Sequence, residues 1–583
     1  MASCHNKDMS RKLSFIIILP SLLALFILGF VHPITALTQD LGRHILLGKI
    51  IWTTQTIPQT NLLTYTHPDF PFINHHWLSE VIFYLITSFT NLSILGAVMI
   101  LTASTAIGML LWYAIKENYH PLSIGIFSLL FLQILFERTD TRPEIFGWVI
   151  LSLILVILYS YREKYTKWIF LLPLMQLLWV NLHITFLVGL IIQGAFFLDQ
   201  VITQKNVLLG KKTKALFIVC LLSLAACFIN PHGIQGTLYP LTVFNNYGYS
   251  IEENQNIFFL QNFSNKLTIK YFYISIFVLF GALSLTWRRS RVVDWFLAIF
   301  FTLLGFYAIR NFPLFAFVVF LPAVRSLSLL FETWDTHSHL LKTYGSYILW
   351  TIFAGLFCLS LFQLSSKITF SLAVPQAHEA SIHFFQANHL HGPIFNNFDV
   401  GSYLEYRLYP KERLFIDGRP EAFPDVFIQG VYIPMQESPD VFAKADQTYH
   451  FNTIIFSHSD QTPWAVAFIQ SILTNEDWKL IYLNSEIMIL IKNTPENKAV
   501  ITHYAKSLED IPVESDGSFR SNQLLSRFFI LTNTPSRASI YLKKLLEQDP
   551  NYCPAIATLA QIANNSQDPA GSVYQYQYLQ KCQ

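Results

Sequence analysis

Charge is what this chain has least of. Asp, Glu, Lys and Arg together make up 13% of its 583 residues, against about 25% in soluble domains. That deficit excludes an ordinary soluble protein over the whole length. Nor does one sign dominate: the net charge is +2, so no basic field points to nucleic acid. There are six cysteines, and none of them forms a CxxC or zinc-type spacing. HExxH, P-loop and GxSxG signatures are also missing. Zincin, NTPase and serine-hydrolase readings therefore lack their marks.

What is present is apolar sequence, 52% of the chain. It is concentrated before about Phe362, and from about residue 365 the composition becomes that of a soluble protein. A bilayer core needs about 20 apolar residues per helix. About eleven segments qualify, at 13–33, 92–115, 121–137, 144–161, 167–181, 184–202, 215–230, 270–287, 292–309, 313–331 and 345–364. Residues 77–91 read as a helix lying at the interface.

Lys and Arg favour cytoplasmic loops. Four basic clusters test the count: Lys7, Arg11 and Lys12; Arg162, Lys164 and Lys167; Lys205, Lys211, Lys212 and Lys214; Arg288, Arg289 and Arg291. All fall on one side if the N-terminus is cytoplasmic. An odd number of spans then puts residues 365–583 outside the cytoplasm. In that compartment Cys553 and Cys582 either form a disulfide or stay as two free thiols. The first segment also has the form of a cleaved signal peptide ending at Ile34-Thr35-Ala36, which leaves the later topology unchanged.

With this topology the unusual polar residues gather on the outer face. The first outer loop carries Asp40, Arg43, His44, His67, Asp69, His75, His76 and Glu80. The second carries Glu137, Arg138, Asp140, Arg142 and Glu144, the third Asn181 and His183. The fourth carries Asn230, His232, Glu252 and Glu253, the fifth Arg310 and Asn311. Ionisable groups in such places mark functional sites, although any solvated loop carries some. Asp40 and His44 are four apart and share a face if residues 38–52 are helical, and His76 and Glu80 have the same spacing. Either pair suits a divalent metal or an oriented base.

The chain resembles the type C glycosyltransferase superfamily, which includes protein mannosyltransferases, the aminoarabinose transferase of lipid A and the catalytic subunit of oligosaccharyltransferase. It is more closely similar to a widespread group of bacterial membrane proteins. The resemblance is carried by Asp40-Leu-Gly-Arg-His44, Ile57-Pro58, Asn74-His-His-Trp77-Leu-Ser-Glu80, Arg142-Pro143, Trp179-Val-Asn181-Leu-His183, Asn230-Pro-His-Gly233 and Arg310-Asn-Phe-Pro313. It continues in Asn396-Asn-Phe-Asp399-Val-Gly401-Ser-Tyr403-Leu404 and Phe415-Ile-Asp417-Gly418-Arg419-Pro420. It implies a bacterial inner-membrane enzyme that moves a sugar from a polyprenyl-phosphate donor to an envelope acceptor on the outer face. It also implies that Asp40 is the catalytic base. His44 would orient it or contact the acceptor. Glu80, Asp140, Arg142, His183, His232 and Arg310 would bind substrate, the arginines gripping phosphate. Two departures are plain. Gln39-Asp40 stands where many relatives have adjacent acids, and Glu137 and Asp140 are separated by Arg138-Thr139 rather than forming DxD or ExD. The cofactor is therefore left open, with a divalent metal as one option. A transporter or flippase, or an inactive scaffold of the same fold, are the competing readings.

The fold class expected is thus a polytopic α-helical membrane bundle of about 11 spans, with a C-terminal extracytoplasmic α/β domain and a helical tail. The domains read as 1–364 for the transmembrane glycosyltransferase-like part, 365–500 for the α/β domain and 501–583 for a tetratricopeptide-like tail. Within the α/β domain, 393–396 and 413–416 read as strands around a helix at 401–408. Further on, 453–457, 478–482 and 486–491 read as strands, and 463–473 as a helix. Asp417-Gly418-Arg419 reads either as a turn with a positive φ or as a group facing the membrane cavity. Residues 507–521 read as a linker. The expected partners are a lipid-linked sugar donor, membrane lipid, no nucleic acid, and a protein bound through the tail.

Overall fold

The computed structural model describes residues 2–35, 37–203, 210–243, 248–263, 265–337, 339–365, 371–374 and 376–582. Lys205 of the third basic cluster, and Ala36 of the cleavage-like site, lie outside them.

The N-terminal part is helical. In chain order come α1 (Ala2–Phe30), α2 (Gly42–Thr54), α3 (Trp77–Phe89), α4 (Leu92–Lys116), α5 (Pro121–Leu135), α6 (Glu144–Glu163), α7 (Leu172–Leu182), α8 (Leu187–Thr203), α9 (Lys211–Ala226) and α10 (Gly233–Thr242). Then follow α11 (Ile257–Leu260), α12 (Leu267–Leu285), α13 (Val292–Tyr307), α14 (Phe312–His337) and α15 (His339–Ser365). Each of the eleven apolar segments coincides with one of these helices. Among the described residues, seven helical runs are long and apolar enough to cross a membrane: those in α1, α4, α6, α8, α12, α14 and α15. The chain is a multi-pass membrane protein.

The helix α5 explains one short segment. All fifteen of its residues are buried, and α1, α12, α14 and α15 pack around it. A helix that is apolar all round belongs inside a bundle, so α5 sits in protein. By contrast α1 buries Ile18, Leu22, Leu25 and Phe26 and exposes Ile16, Ile17 and Leu23. Such an exposed apolar face is costly in water and natural in lipid.

Basic residues tie the helix ends at the pole opposite the large loops. The Arg162 guanidinium lies 3.1 Å from Asp294, and Arg325 lies 3.3 Å from the same carboxylate. Lys212 donates to the Arg162 carbonyl at 3.4 Å. Asp294 is 1% exposed, so its two arginines are what make its burial tolerable. Composition pointed to basic loops here and missed the acid that organises them.

The C-terminal domain begins with α16 (Gln376–Ala387) and α17 (Phe398–Leu408). It carries five strands, β1 (Ile394–Asn396), β2 (Thr453–Ser457), β3 (Trp478–Asn484), β4 (Ile487–Lys492) and β5 (Val513–Glu514). Their order is β1-β2-β4-β3-β5, with β1 parallel to β2, β2 and β3 antiparallel to β4, and β5 parallel to β3. The sheet is small and mixed. Two local expectations change. Residues 413–416 form no strand of the sheet; Leu414 instead makes single bridges to Ile394 and to Thr64 of the first loop. Residues 507–521 hold the edge strand β5, and Ile511 there is buried, so this stretch packs as part of the domain. Four helices complete the chain, Phe519–Leu531, Pro535–Gln548, Cys553–Asn565 and Ala570–Cys582, and a Cys553–Cys582 disulfide joins the last two.

Candidate active site

Five loops meet at one end of the bundle. After α1 the chain makes a π-helical turn, Leu37–Leu41, that runs directly into α2. Such turns recur at functional sites because they re-aim one side chain. This one carries Asp40. One of its carboxylate oxygens lies 3.5 Å from the Arg142 guanidinium. The other is buried and, among the described residues, accepts no hydrogen bond. A buried acceptor left unpaired is unfavourable and calls for a reason.

Around Asp40 stands a belt of alternating charge. Arg142 pairs with Glu253 at 3.1 Å and donates to the Gln39 side chain at 2.5 Å. Arg138 forms a two-pronged pair with Glu144, at 2.8 and 2.9 Å, and also meets Glu253. Burial pushes the Glu253 carboxyl up, but Arg138 and Arg142 outweigh it and hold the group at about 2. Glu137 takes Lys266 at 2.7 Å and Thr268 at 2.8 Å. Asp140 accepts from Thr35 at 2.9 Å. Arg310 donates to Asn254 at 2.6 Å and, among the described residues, has no carboxylate partner within ion-pair distance.

A second group lies beside it. The expected pairs are crossed: His44 Nδ1 meets Glu80 at 2.9 Å, so a residue of α2 pairs with one of α3. Both side chains are buried. Asn74 holds the other Glu80 oxygen at 2.6 Å. The rings of His44, His76 and His183 follow one another at 5.1 and 5.0 Å. Burial holds His183 well below its ordinary value, with His75 and Arg310 adding to this. His232 accepts from the Asn74 backbone at 3.1 Å, and Asn181 accepts from Trp77 at 2.8 Å. His183, Arg310, Glu144 and Trp148 line a cavity of about 20 Å³, room for about one water.

The expected residues thus fall into two neighbouring sets. Asp40 and Arg142 belong to the charged belt, and Asp140 stands beside it through its own loop. His44, Glu80, His183 and His232 belong to the histidine group, with Arg310 reaching toward both. Sequence reading passed over Arg138 and Glu253 as partners, because nothing in the spacing of 138 and 253 links them. Asp40, Glu137, Glu144 and Glu253 each face an arginine or lysine. No three His, Cys, Asp or Glu side chains converge on one point among the described residues.

The C-terminal domain closes on this end. Asp417 and Arg419 pair with each other in full burial, and Arg419 reaches Asn61 at 2.7 Å and stacks over Phe72. Arg43 donates to Ser402 at 3.4 Å. Gly418 does not take a positive φ. A Cβ there would stand 2.9 Å from the Ser402 hydroxyl and 3.7 Å from the Arg43 guanidinium and the Gln39 carbonyl. The Asp417-Gly418-Arg419 segment therefore clasps the first loop, which corrects the expected positive-φ turn and sets Gly418 beside Gln39 and Arg43.

No protein-family model matches the chain, and no curated protein matches it in sequence. Solved structures do. The archaeal oligosaccharyltransferase AglB from Archaeoglobus fulgidus, solved with an inhibitory peptide and a dolichol-phosphate, is 12% identical with a TM-score of 0.54. The match covers 85% of this chain and 74% of that one. ArnT from Cupriavidus metallidurans is 11% identical over 82% of this chain and 97% of its own, at a TM-score of 0.46. The arabinofuranosyltransferase AftD from Mycobacteria is 11% identical over 82% of this chain and 41% of its own, at 0.49. Both scores are too low to add weight. A helical bundle with its polar loops gathered at one pole and a C-terminal domain closing on them is the fold this chain shares with the archaeal AglB structure.

Proposed function

We propose that the chain is a membrane glycosyltransferase that moves a sugar from a polyprenyl-phosphate donor to an envelope acceptor on the outer face of the membrane. Asp40 carries the reading: a carboxylate at the pole of the bundle with one oxygen steadied by Arg142 and the other unpaired. That is the state of a base waiting for an acceptor hydroxyl. The AglB structure, whose fold this chain shares, contains a dolichol-phosphate, a lipid of the donor's chemical kind.

In this mechanism Asp40 takes the acceptor proton as the hydroxyl oxygen attacks the anomeric carbon. The bond from that carbon to the donor phosphate breaks, and the phosphate leaves with the electron pair. Its growing charge needs cations. Arg310, paired among the described residues with a neutral amide, and Arg142, free to trade Glu253 for phosphate, supply them. General-base help of this kind contributes about 10²- to 10⁴-fold. His44 acts through Glu80, fixing α2 against α3, and Asp140, His183 and His232 shape the acceptor side.

The same reading sets the compartment: a bacterial inner membrane, N-terminus cytoplasmic, C-terminal region outside. The basic pole opposite the loops supports it, as does a disulfide in the tail, a bond of oxidising compartments. The eleven helices are read as spans, with 1–364, 365–500 and a tetratricopeptide-like 501–583 as the units. The tail would take a protein partner. The test is sugar transfer by the purified full chain from polyprenyl-phosphate sugars to envelope glycans. Loss of transfer in Asp40→Asn is expected; full turnover in that variant overturns the role of Asp40.

A further inference from the structure

A cleft of about 550 Å³ opens on the C-terminal domain, away from the Asp40 belt. Its size falls within the range of about 300–1,000 Å³ typical of small-ligand sites. One wall is the outer face of α16, with Gln376, Glu379, His383 and Ala387 at helical spacing. The inner face of that helix buries His378, Ser381, Ile382 and Phe385. Tyr504, at the end of the helix Lys498–Tyr504, and Glu514 of β5 complete the site.

The two carboxylates are held before any ligand arrives. Glu379 accepts from the Tyr403 hydroxyl at 2.6 Å and pairs with Arg407 at 2.8 Å. Glu514 accepts from the Tyr482 hydroxyl at 2.6 Å. Phe384 lies among the lining residues, its ring centroid 4.6 Å from Tyr482 and 5.0 Å, edge to face, from Tyr504. The cleft thus offers fixed anionic acceptors and aromatic surface together. Hydroxyl donors bond to a carboxylate about twice as strongly as to a neutral acceptor, and aromatic faces take up apolar C–H surface. An anion is repelled by Glu514, which has no cation paired with it among the described residues. A purely apolar ligand would take Glu514 out of water with a single neutral hydroxyl as its hydrogen-bond donor among the described residues, which is unfavourable for a charge. The complement is a flat ring with hydroxyls at its edge and C–H groups on its face.

We propose that this cleft is a saccharide-binding site of the C-terminal domain, holding part of an acceptor glycan while its end is extended elsewhere. The choice of ligand class rests on the glycosyltransferase reading; the cleft itself does not.

The test uses the full chain in lipid nanodiscs on an array of immobilised oligosaccharides of hexoses, N-acetylhexosamines and amino sugars. The wild type is expected to bind at least one class. Glu514→Gln removes a charged acceptor, and Ala387→Arg fills the cleft from an exposed position. Each is expected to weaken binding by more than about tenfold with an unchanged melting temperature. Asp40→Asn should bind like the wild type, since it lies in the other site. No binding by the wild type, or binding at wild-type strength by both Glu514→Gln and Ala387→Arg, overturns the proposal. Transfer without cleft binding would leave the enzyme reading standing, and cleft binding without transfer would do the reverse.

Discussion

Asp40 and Glu253 show how single residues divide the work at the loop pole. Asp40 keeps one oxygen unpaired, whereas Glu253 is tied by two arginines. Asp40→Asn preserves shape and removes the base, so turnover should fall about 10²-fold or more with little change in melting temperature. Glu253 behaves differently. Its folded carboxyl sits at about 2, below the ordinary 4.5. A depressed acid contributes stability that is present above the ordinary value and lost as pH falls toward the folded one. Thermal melts of the wild type and Glu253→Gln should therefore differ most at pH 7, narrow below the ordinary 4.5 and converge only as pH falls to about 2. A gap that stays constant with pH would contradict the ion-pair assignment. The place of Asp40 at the loop pole was legible in the sequence because it follows the first apolar run. The Arg138–Glu253 pair was not, because loops 115 residues apart meet only once the helices have packed.

At the scale of elements, α2 and α3 are packed so closely that Gly48 has no room for a side chain: a Cβ there would overlap the Glu80 carbonyl. This contact brings His44 to Glu80. Gly48→Ala should push the helices apart, lowering stability by about 1–3 kcal/mol and transfer activity with it. Measured melting and turnover that match the wild type would show that the helix contact is loose. The helices themselves were readable, because apolar composition over 15–25 residues dictates burial in lipid or protein. Partnering was less readable. Spacing pointed to Asp40 with His44 and to His76 with Glu80, both within one helix. The π turn and the α2–α3 contact replaced these with a cross-helix pair. Likewise 413–416 has strand composition, but Leu414 is shared between β1 and the first loop, and no local pattern reports such a bridge.

Across the whole molecule, two halves of contrasting composition meet at one pole, and buried polar pairs run through an otherwise apolar and aromatic join. The Asp417–Arg419 pair, Asn61 and Ser402 with Arg43 make its polar part. At the far end of the chain the Cys553–Cys582 disulfide closes the last hairpin. Cys553→Ser should cost about 2–4 kcal/mol locally, seen as faster proteolysis of the terminal helix while the membrane part melts as before. Equal protease resistance would mean that packing alone holds the hairpin. The composition break was visible in the sequence at about residue 365. The clasp between the halves was not, because Asp417 and Asn61 come together only through the fold.

The central claim is that this chain transfers a sugar using Asp40. Mass spectrometry of envelope glycans and glycolipids tests it, in a deletion strain of the source organism complemented with wild type or with Asp40→Asn at matched protein levels. The account predicts one sugar lost on deletion and restored by wild type alone. An unchanged profile after deletion, or restoration by both proteins, would contradict it.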